Sequence, residues 1–294
     1  ISHTLMIEKG YARPGMLYVG ADSHSCTAGA TGCLAMGMGS TDMLGIVTTG
    51  RTWLRVPSTI RVEVTGELPF GVTAKDLILT IIGERGMDAG LYQVLEFVGS
   101  AVEAMTMQER SVLTNMCAEI GAKAGVVPSD QTTIDHFAAL DIAVEAGPQS
   151  DDDAVYSERW QYDGAAIEPV VARPNRHDDV VPISQLGDAR INRAYIGSCT
   201  GAKYEDLAMA AKVLKGRTVD PGVLLQVAPA SRAALRQAME DGTAQTLMDA
   251  GAHILSTGCG ACPGIGSGLL AAGEVSISTT NRNFRGRMGD PDSS

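Results

Sequence analysis

Cys259 and Cys262 stand two residues apart in STGCGACPGIGSG, residues 256–268, a stretch that holds five glycines. The spacing lets both thiols reach one centre, but two thiolates complete neither a zinc site nor an iron–sulfur site. A redox dithiol, half a structural zinc site and part of an iron–sulfur site all remain open on spacing alone. No second close pair is present to close a zinc site in the usual way, and a thioredoxin-like pair would open a helix without this glycine density. Cys199, in GSCTGAK, is a third thiol just past an apolar run. Three thiolates from two strand ends would hold a cubane cluster and leave one iron without a protein ligand. Cys26 and Cys33 lie among small residues and Cys117 in a helical pattern, which reads as structural burial.

These residues need elements to carry them. A unit recurs along the chain: a short apolar run, a Gly-rich or polar turn, then a helical pattern. MLYVGADSH (16–24) leads through small residues to TDMLGIVTTGRTW, and RAYIGSCT (193–200) leads to KYEDLAMAAKVLKG, a helix that stops at Gly216. GVLLQVAPAS precedes RAALRQAMEDG, AHILSTGCG precedes the cysteine loop, and EVSISTTNRNF (274–284) comes last. Strands alternating with helices imply α/β units with mostly parallel sheets, and such sheets gather ligands at the carboxyl ends of their strands. DSH, SCT, GCGAC and NRN all fall at expected strand ends. TMQERSVLTNMCAEIGAKAG (106–125) reads as one helix opened by a capping box of Thr106 and Glu109, with Asn115 and Glu119 on one face.

Composition narrows the function classes. A net charge of −11, with no Lys/Arg-rich tract, argues against a general nucleic-acid binder, so an acidic ligand needs a few local cations. No apolar run approaches the roughly 18 residues of a membrane span. Six irregularly spaced cysteines in 294 residues do not form a disulfide framework, and a reducing cytoplasm is the expected compartment. The opening ISHTLMI, without a start methionine, reads like the middle of a fold and leads us to expect a fragment.

GSCT at 197–200, GCGACPG at 258–264, NRNFRGR at 281–287, GADSH at 20–24 and NMCAEIGAKAG at 115–125 together resemble the aconitase superfamily, in order and spacing. The likeness runs over essentially the whole chain and is nearest to the large subunits of the two-chain isopropylmalate and homoaconitate isomerases. It implies an aconitase-like α/β fold of several three-layer units around a central iron–sulfur cleft. The units expected are 1–57 and 58–165, a linker over 166–182, and a cluster-bearing domain over 183–294. The resemblance also implies a [4Fe–4S] cofactor held by Cys199, Cys259 and Cys262, and a separate small subunit in a heterodimer or heterotetramer. By position, His3 matches a histidine paired with the carboxylate matched by Glu119. Asp22, Ser23 and His24 match an active-site trio, Asn115 a cluster-neighbouring amide, and Arg282 and Arg287 arginines that bind substrate carboxylate and order the site.

The chemistry so implied is dehydration and rehydration of a hydroxy di- or tricarboxylate of the 3-isopropylmalate type, with homoaconitate or dimethylmalate as alternatives. An open iron acts as Lewis acid on the hydroxyl, arginine forks grip carboxylates, and a histidine beside a carboxylate delivers a proton. A strong base is not among these residues; the resemblance puts a serine base on the small subunit. Several departures stand out: Gly201 replaces the usual amide of Cys-Thr-Asn, Lys203 follows it, Pro263 follows the second thiol, and Thr4 follows His3. A family Asp-His motif expected before Ile1 is absent, and the end after GRMGDPD is short by the same comparison. Plainer readings exist for single residues. Asp22 and Ser23 can simply cap the following segment, Asp135 and His136 read as surface helix, and His177 and His253 receive no role. The alternative from another class is a non-catalytic domain with structural zinc on Cys199, Cys259, Cys262 and His253.

Overall fold

Parallel strands separated by helices build most of the computed structural model, which describes residues 1–294 in two compact units, Ser2–Val170 and Val171–Ser294 with Ile1. Within the first unit, helix α1 (Ser2–Glu8) precedes strand β1 (Leu17–Gly20), a buried 3₁₀ segment (Ser23–Thr31), strand β2 (Leu34–Gly37) and helix α2 (Ser40–Thr49). β1 and β2 pair in parallel as a two-stranded sheet.

The second sheet of this unit is made from β3 (Thr59–Thr65), β4 (Val94–Val98), β5 (Ala124–Val126) and β6 (Glu158–Asp163), parallel throughout, in the order β5-β4-β3-β6. The period-2 alternation of TIRVEVT buries Ile60, Val62 and Val64 completely. Helix α3 (Ala74–Arg85) adds Leu77, Ile78, Ile81 and Ile82 to the same core. Short α4 (Ser100–Ala104) leads into α5 (Met107–Met116), and α6 (Gln131–Ala138) follows β5.

Thr106 and Glu109 form the expected capping box: Thr106 N–H donates to Glu109 Oε2 at 3.0 Å, and Glu109 N–H to Thr106 Oγ1 at 3.2 Å. The helix does not run to residue 125, however. It ends at Met116, tightens into a 3₁₀ turn over Cys117–Ile120, and stops where Gly121 takes φ 76°, after which the chain becomes β5. A left-handed glycine closes a helix whatever the apolar pattern beyond it suggests. Residues 2–165, over which two separate domains meeting at 57/58 were expected, fall in one compact unit, and the 3₁₀ segment packs on α5 and β5 within it.

β7 (Val170–Ala172) and β8 (Val180–Pro182) form a two-stranded sheet inside the expected linker, beside ion pairs of Arg173 with Asp179 and Arg176 with Asp178. The second unit is built on β9 (Arg193–Ile196), β10 (Leu224–Val227), β11 (His253–Ile254) and β12 (Ser276–Ser278), all parallel, in the order β11-β10-β9-β12. Helix α7 (Tyr204–Leu214) links β9 to β10, while α8 (Arg232–Glu240) and α9 (Thr243–Asp249) link β10 to β11. Leu207, Leu225, Val227 and Leu247 form the core between helices and sheet. No helix is long and apolar enough to cross a membrane.

One buried charge holds the first unit together. The Arg110 side chain on α5 is fully buried and forks onto Asp130, the N-cap of α6, at 2.6 and 2.7 Å, with a third bond of 2.8 Å to the Glu103 carbonyl. Burial alone would raise the pKa of Asp130, but the Arg110 bonds outweigh it and hold its carboxyl below the usual carboxylate range. Arg110→Ala leaves a cavity and a carboxylate without its partner, so we expect a loss of about 3 kcal/mol. The check is a urea midpoint that drops while the slope of the transition stays constant.

Candidate active site

In the first unit, Asp22 follows β1 and caps the 3₁₀ segment: its Oδ1 accepts from the His24 N–H at 2.8 Å. The capping role considered for it from sequence is therefore real, and it coexists with a second one. The same oxygen faces two imidazoles, His24 Nδ1 at 3.7 Å and His3 Nδ1 at 3.8 Å, whose ring centroids are 6.0 Å apart. Asp22 and Ser23 are exposed, whereas His3 and His24 are buried.

Glu119 makes the closest contact of the group. Its Oε1 lies 2.7 Å from His24 Nε2, with Glu119 only 3% exposed. The partner of this carboxylate is thus His24, not His3 as the resemblance implied. The reason is local: the 3₁₀ segment carries His24 inward against the turn that bears Glu119, while His3 on α1 reaches only Asp22. A carboxylate accepting from Nε2–H fixes the imidazole so that Nδ1 points toward Asp22. Burial pulls the pKa of His3 down to about 4; the nearby Asp22 opposes this and the His24 charge adds to it. His3 is therefore neutral near pH 7.

Asn115, expected beside the cluster or substrate, is fully buried, and its Nδ2 donates to Thr27 Oγ1 at 2.7 Å. Thr114 Oγ1 donates to the Thr27 carbonyl at 2.8 Å. Both residues at the end of α5 fasten the 3₁₀ segment that carries His24. Asp135 is exposed on α6, and His136 packs beside Phe137 with its Nε2 3.2 Å from the Ile7 carbonyl.

In the second unit, the chain leaving β9 turns sharply. Ser198 takes φ 78°, a conformation that costs a non-glycine residue about 1–3 kcal/mol. Hydrogen bonds hold it there: Ser198 Oγ donates to the Thr279 carbonyl at 3.2 Å, and the Gly197 N–H donates to Thr279 Oγ1 at 2.9 Å. This turn presents Cys199, 5% exposed, with the Asn281 amide nitrogen 3.7 Å from its sulfur. Lys203 is buried, and its Nζ donates to the Cys199 carbonyl at 3.2 Å.

The other two thiols sit on the loop that follows β11. Tyr195, on β9, anchors it by donating to the Cys259 carbonyl and accepting from the Ala261 N–H, each at 3.1 Å. Burial drives the Tyr195 hydroxyl up to about 12, so it remains a protonated clamp. Gly260, at φ 54°, lies directly over that hydroxyl, and a Cβ there would collide with it. Cys262 is buried, Cys259 is exposed, and none of the six cysteines forms a disulfide. The Gly264 position abuts the Arg287 carbonyl, which brings the NRNFRGR segment alongside the loop. The buried Nε of Arg287 makes no hydrogen bond; Arg282 is half-buried.

No three His, Cys, Asp or Glu side chains converge on a single ion. The zinc set of Cys199, Cys259, Cys262 and His253 is accordingly not assembled, since His253 lies exposed in β11 opposite Gln226. A four-iron cube asks for another arrangement, with each thiolate on its own iron around a sulfide core. Three cysteines outside any disulfide on two strand-end loops, a glycine-rich turn and an amide close to one sulfur fit that donor set.

The comparison with known families supplies the decision: the model of the aconitase family (aconitate hydratase) matches residues 1–294. The chain belongs to the aconitase family. It is 47% identical over 294 residues to the probable methanogen homoaconitase large subunit of Methanothermobacter thermautotrophicus, covering 100% of this chain and 69% of that protein. It is 46% identical over 292 residues to 3-isopropylmalate dehydratase large subunit 2 of Archaeoglobus fulgidus, covering 99% and 70%. Among solved structures, Thermococcus kodakaraensis aconitase X in its holo form superposes with a TM-score of 0.53 at 14% identity, over 96% of this chain and 67% of that one. That last likeness concerns the aconitase fold alone.

Sequence reasoning passed over Tyr195, Thr279 and Asn281 and gave Lys203 no role. The signal for Thr279 and Asn281 was present in STTNRN, which follows a strand; Tyr195 looked like an ordinary strand residue. A pH dependence follows from His3. A histidine whose folded value is lowered takes up its proton more readily when unfolded, so stability is complete above about 6.5 and falls as pH drops toward 4. Over that window His3 accounts for about 3 kcal/mol. Denaturant titrations at pH 7 and pH 4.5 should show His3→Gln with a visibly flatter pH dependence than the parent; parallel curves would exclude this origin.

Proposed function

We propose that this chain is the large subunit of a [4Fe–4S] hydro-lyase that dehydrates and rehydrates a hydroxy di- or tricarboxylate, 3-isopropylmalate or a homoaconitate-type acid. The observation that carries the reading is the buried His24–Glu119 pair at 2.7 Å, combined with three cysteines outside any disulfide on loops that follow parallel strands. Relatives named 3-isopropylmalate dehydratase and homoaconitase large subunits support both substrate classes. The word subunit in those names supports a small-subunit partner for this chain as well.

Cys199, Cys259 and Cys262 would hold the cluster, which when bound supplies Lewis-acid polarisation of the substrate hydroxyl. Glu119 fixes the His24 ring through Nε2, so His24 exchanges a proton with the reactants at Nδ1. Asp22 lies 3.7 Å from that nitrogen and stabilises the ring when it carries two protons. Buried and neutral, His3 does not compete for the proton. Arg287 brings a buried donor without a hydrogen bond of its own, an arrangement that suits a carboxylate oxygen. Arg282, close in sequence, is the second candidate for gripping a carboxylate. Abstraction of the C–H proton needs a stronger base than any of these, and we assign that step to the small subunit.

Three outcomes test this reading. Anaerobically purified protein should be brown and contain about four iron and four sulfide per chain. Cys199→Ser should lose the iron, while Cys117→Ser should keep it, because burial pushes the Cys117 thiol far above its usual value and keeps it protonated. Equal iron in both variants would contradict the ligand assignment. Mixing with the small subunit should raise hydration of an unsaturated diacid, and Glu119→Gln should lower kcat about 10²–10⁴-fold with iron content unchanged. An unaltered kcat would remove His24–Glu119 from the mechanism.

A further inference from the structure

A cavity of about 340 Å³ in the first unit has no role in the reading above. Its walls are Ser23, Met38, Ala118, Ala122, Lys123 and two glycines. Two of them, Ser23 and Ala118, are the chain neighbours of His24 and Glu119. The volume is at the lower end of the range for small-ligand sites, which suits an organic acid.

Lys123 is the only charged residue in the lining. It is half-buried and faces no acidic side chain; its Nζ lies 5.7 Å from the centre of the Tyr92 ring. In a chain with net charge −11, it is the one cation beside this cavity. Its backbone is held firmly. The Lys123 N–H donates to the Gln93 carbonyl at 2.8 Å, Tyr92 N–H to Gly121 at 3.2 Å, and Gly90 N–H to Ile120 at 2.9 Å. Tyr92, at φ 57°, carries the ring that steers the ammonium, and its hydroxyl donates to the Arg55 carbonyl at 3.4 Å. Small residues leave the room, Met38 offers an adaptable apolar wall, and Lys123 provides a point charge suited to an anion.

We propose that this cavity is a carboxylate subsite in which Lys123 is the counter-ion for one carboxylate of the hydroxy acid. The identity of the ligand rests on the hydro-lyase reading, whereas the position and charge preference of the subsite rest on the cavity itself. A binding measurement without turnover keeps the two apart. The probe is 2-isopropylsuccinate, a diacid that lacks the hydroxyl, titrated calorimetrically into the complex of this chain with its small subunit.

Lys123→Met should weaken binding about 10- to 100-fold, Lys123→Arg should stay near the parent, and Lys123→Glu should be weaker than Lys123→Met. Thermal unfolding and iron content equal to the parent establish that each variant is folded. A purely structural role would not follow this order of charge. Lys123→Met binding within twofold of the parent, or Lys123→Arg binding as weakly as Lys123→Met, overturns the subsite. A complex that binds the diacid in this order yet hydrates no unsaturated acid upholds the subsite and fails the reaction instead.

Discussion

The contact between His24 and Glu119 joins residues 95 positions apart, and much of the first unit is arranged to make it possible. A buried carboxylate is costly unless a donor meets it. Here the donor sits on a 3₁₀ segment whose residues from His24 to Thr31 are all buried. That burial requires close backbone approach: Gly29 lies against the Gly125 carbonyl of β5 with no room for a Cβ. Thr114 and Asn115 add hydrogen bonds from α5, and the turn at Gly121 brings Glu119 to face inward. The two sheets of this unit are thereby tied through a polar contact as well as through apolar packing.

The second unit follows a different rule. Its four parallel strands deliver three functional segments at their carboxyl ends, as open parallel sheets do. The precision comes from side chains on the strands themselves. Tyr195 on β9 reaches the cysteine loop, while Thr279, just past β12, holds the turn that exposes Cys199. Lys203 then places positive charge beside the Cys199 carbonyl in an otherwise acidic chain.

Much of this was legible in the sequence, for identifiable reasons. Short apolar runs ending in polar clusters placed β1, β9, β11 and β12, and the Thr106–Glu109 spacing placed the start of α5. What failed was information that spacing does not contain. The apolar pattern beyond Met116 continued, yet Gly121 ended the helix and the strand β5 began. Which histidine meets Glu119 depends on how the 3₁₀ segment folds inward, and neither His3 nor His24 carries a local mark of it. Asn115 was singled out by its match to a family position, and nothing in its local sequence marks the bond it makes to Thr27.

The three thiols differ in exposure, since Cys259 opens to solvent while Cys199 and Cys262 are covered. Electrophiles and peroxide diffusing to this loop therefore encounter one sulfur before the others. Damage would begin as a sulfenic acid at that single position, which leaves the two sheltered sulfurs intact for repair by a thiol reductant. The loop has a door, and its hinge side stays dry.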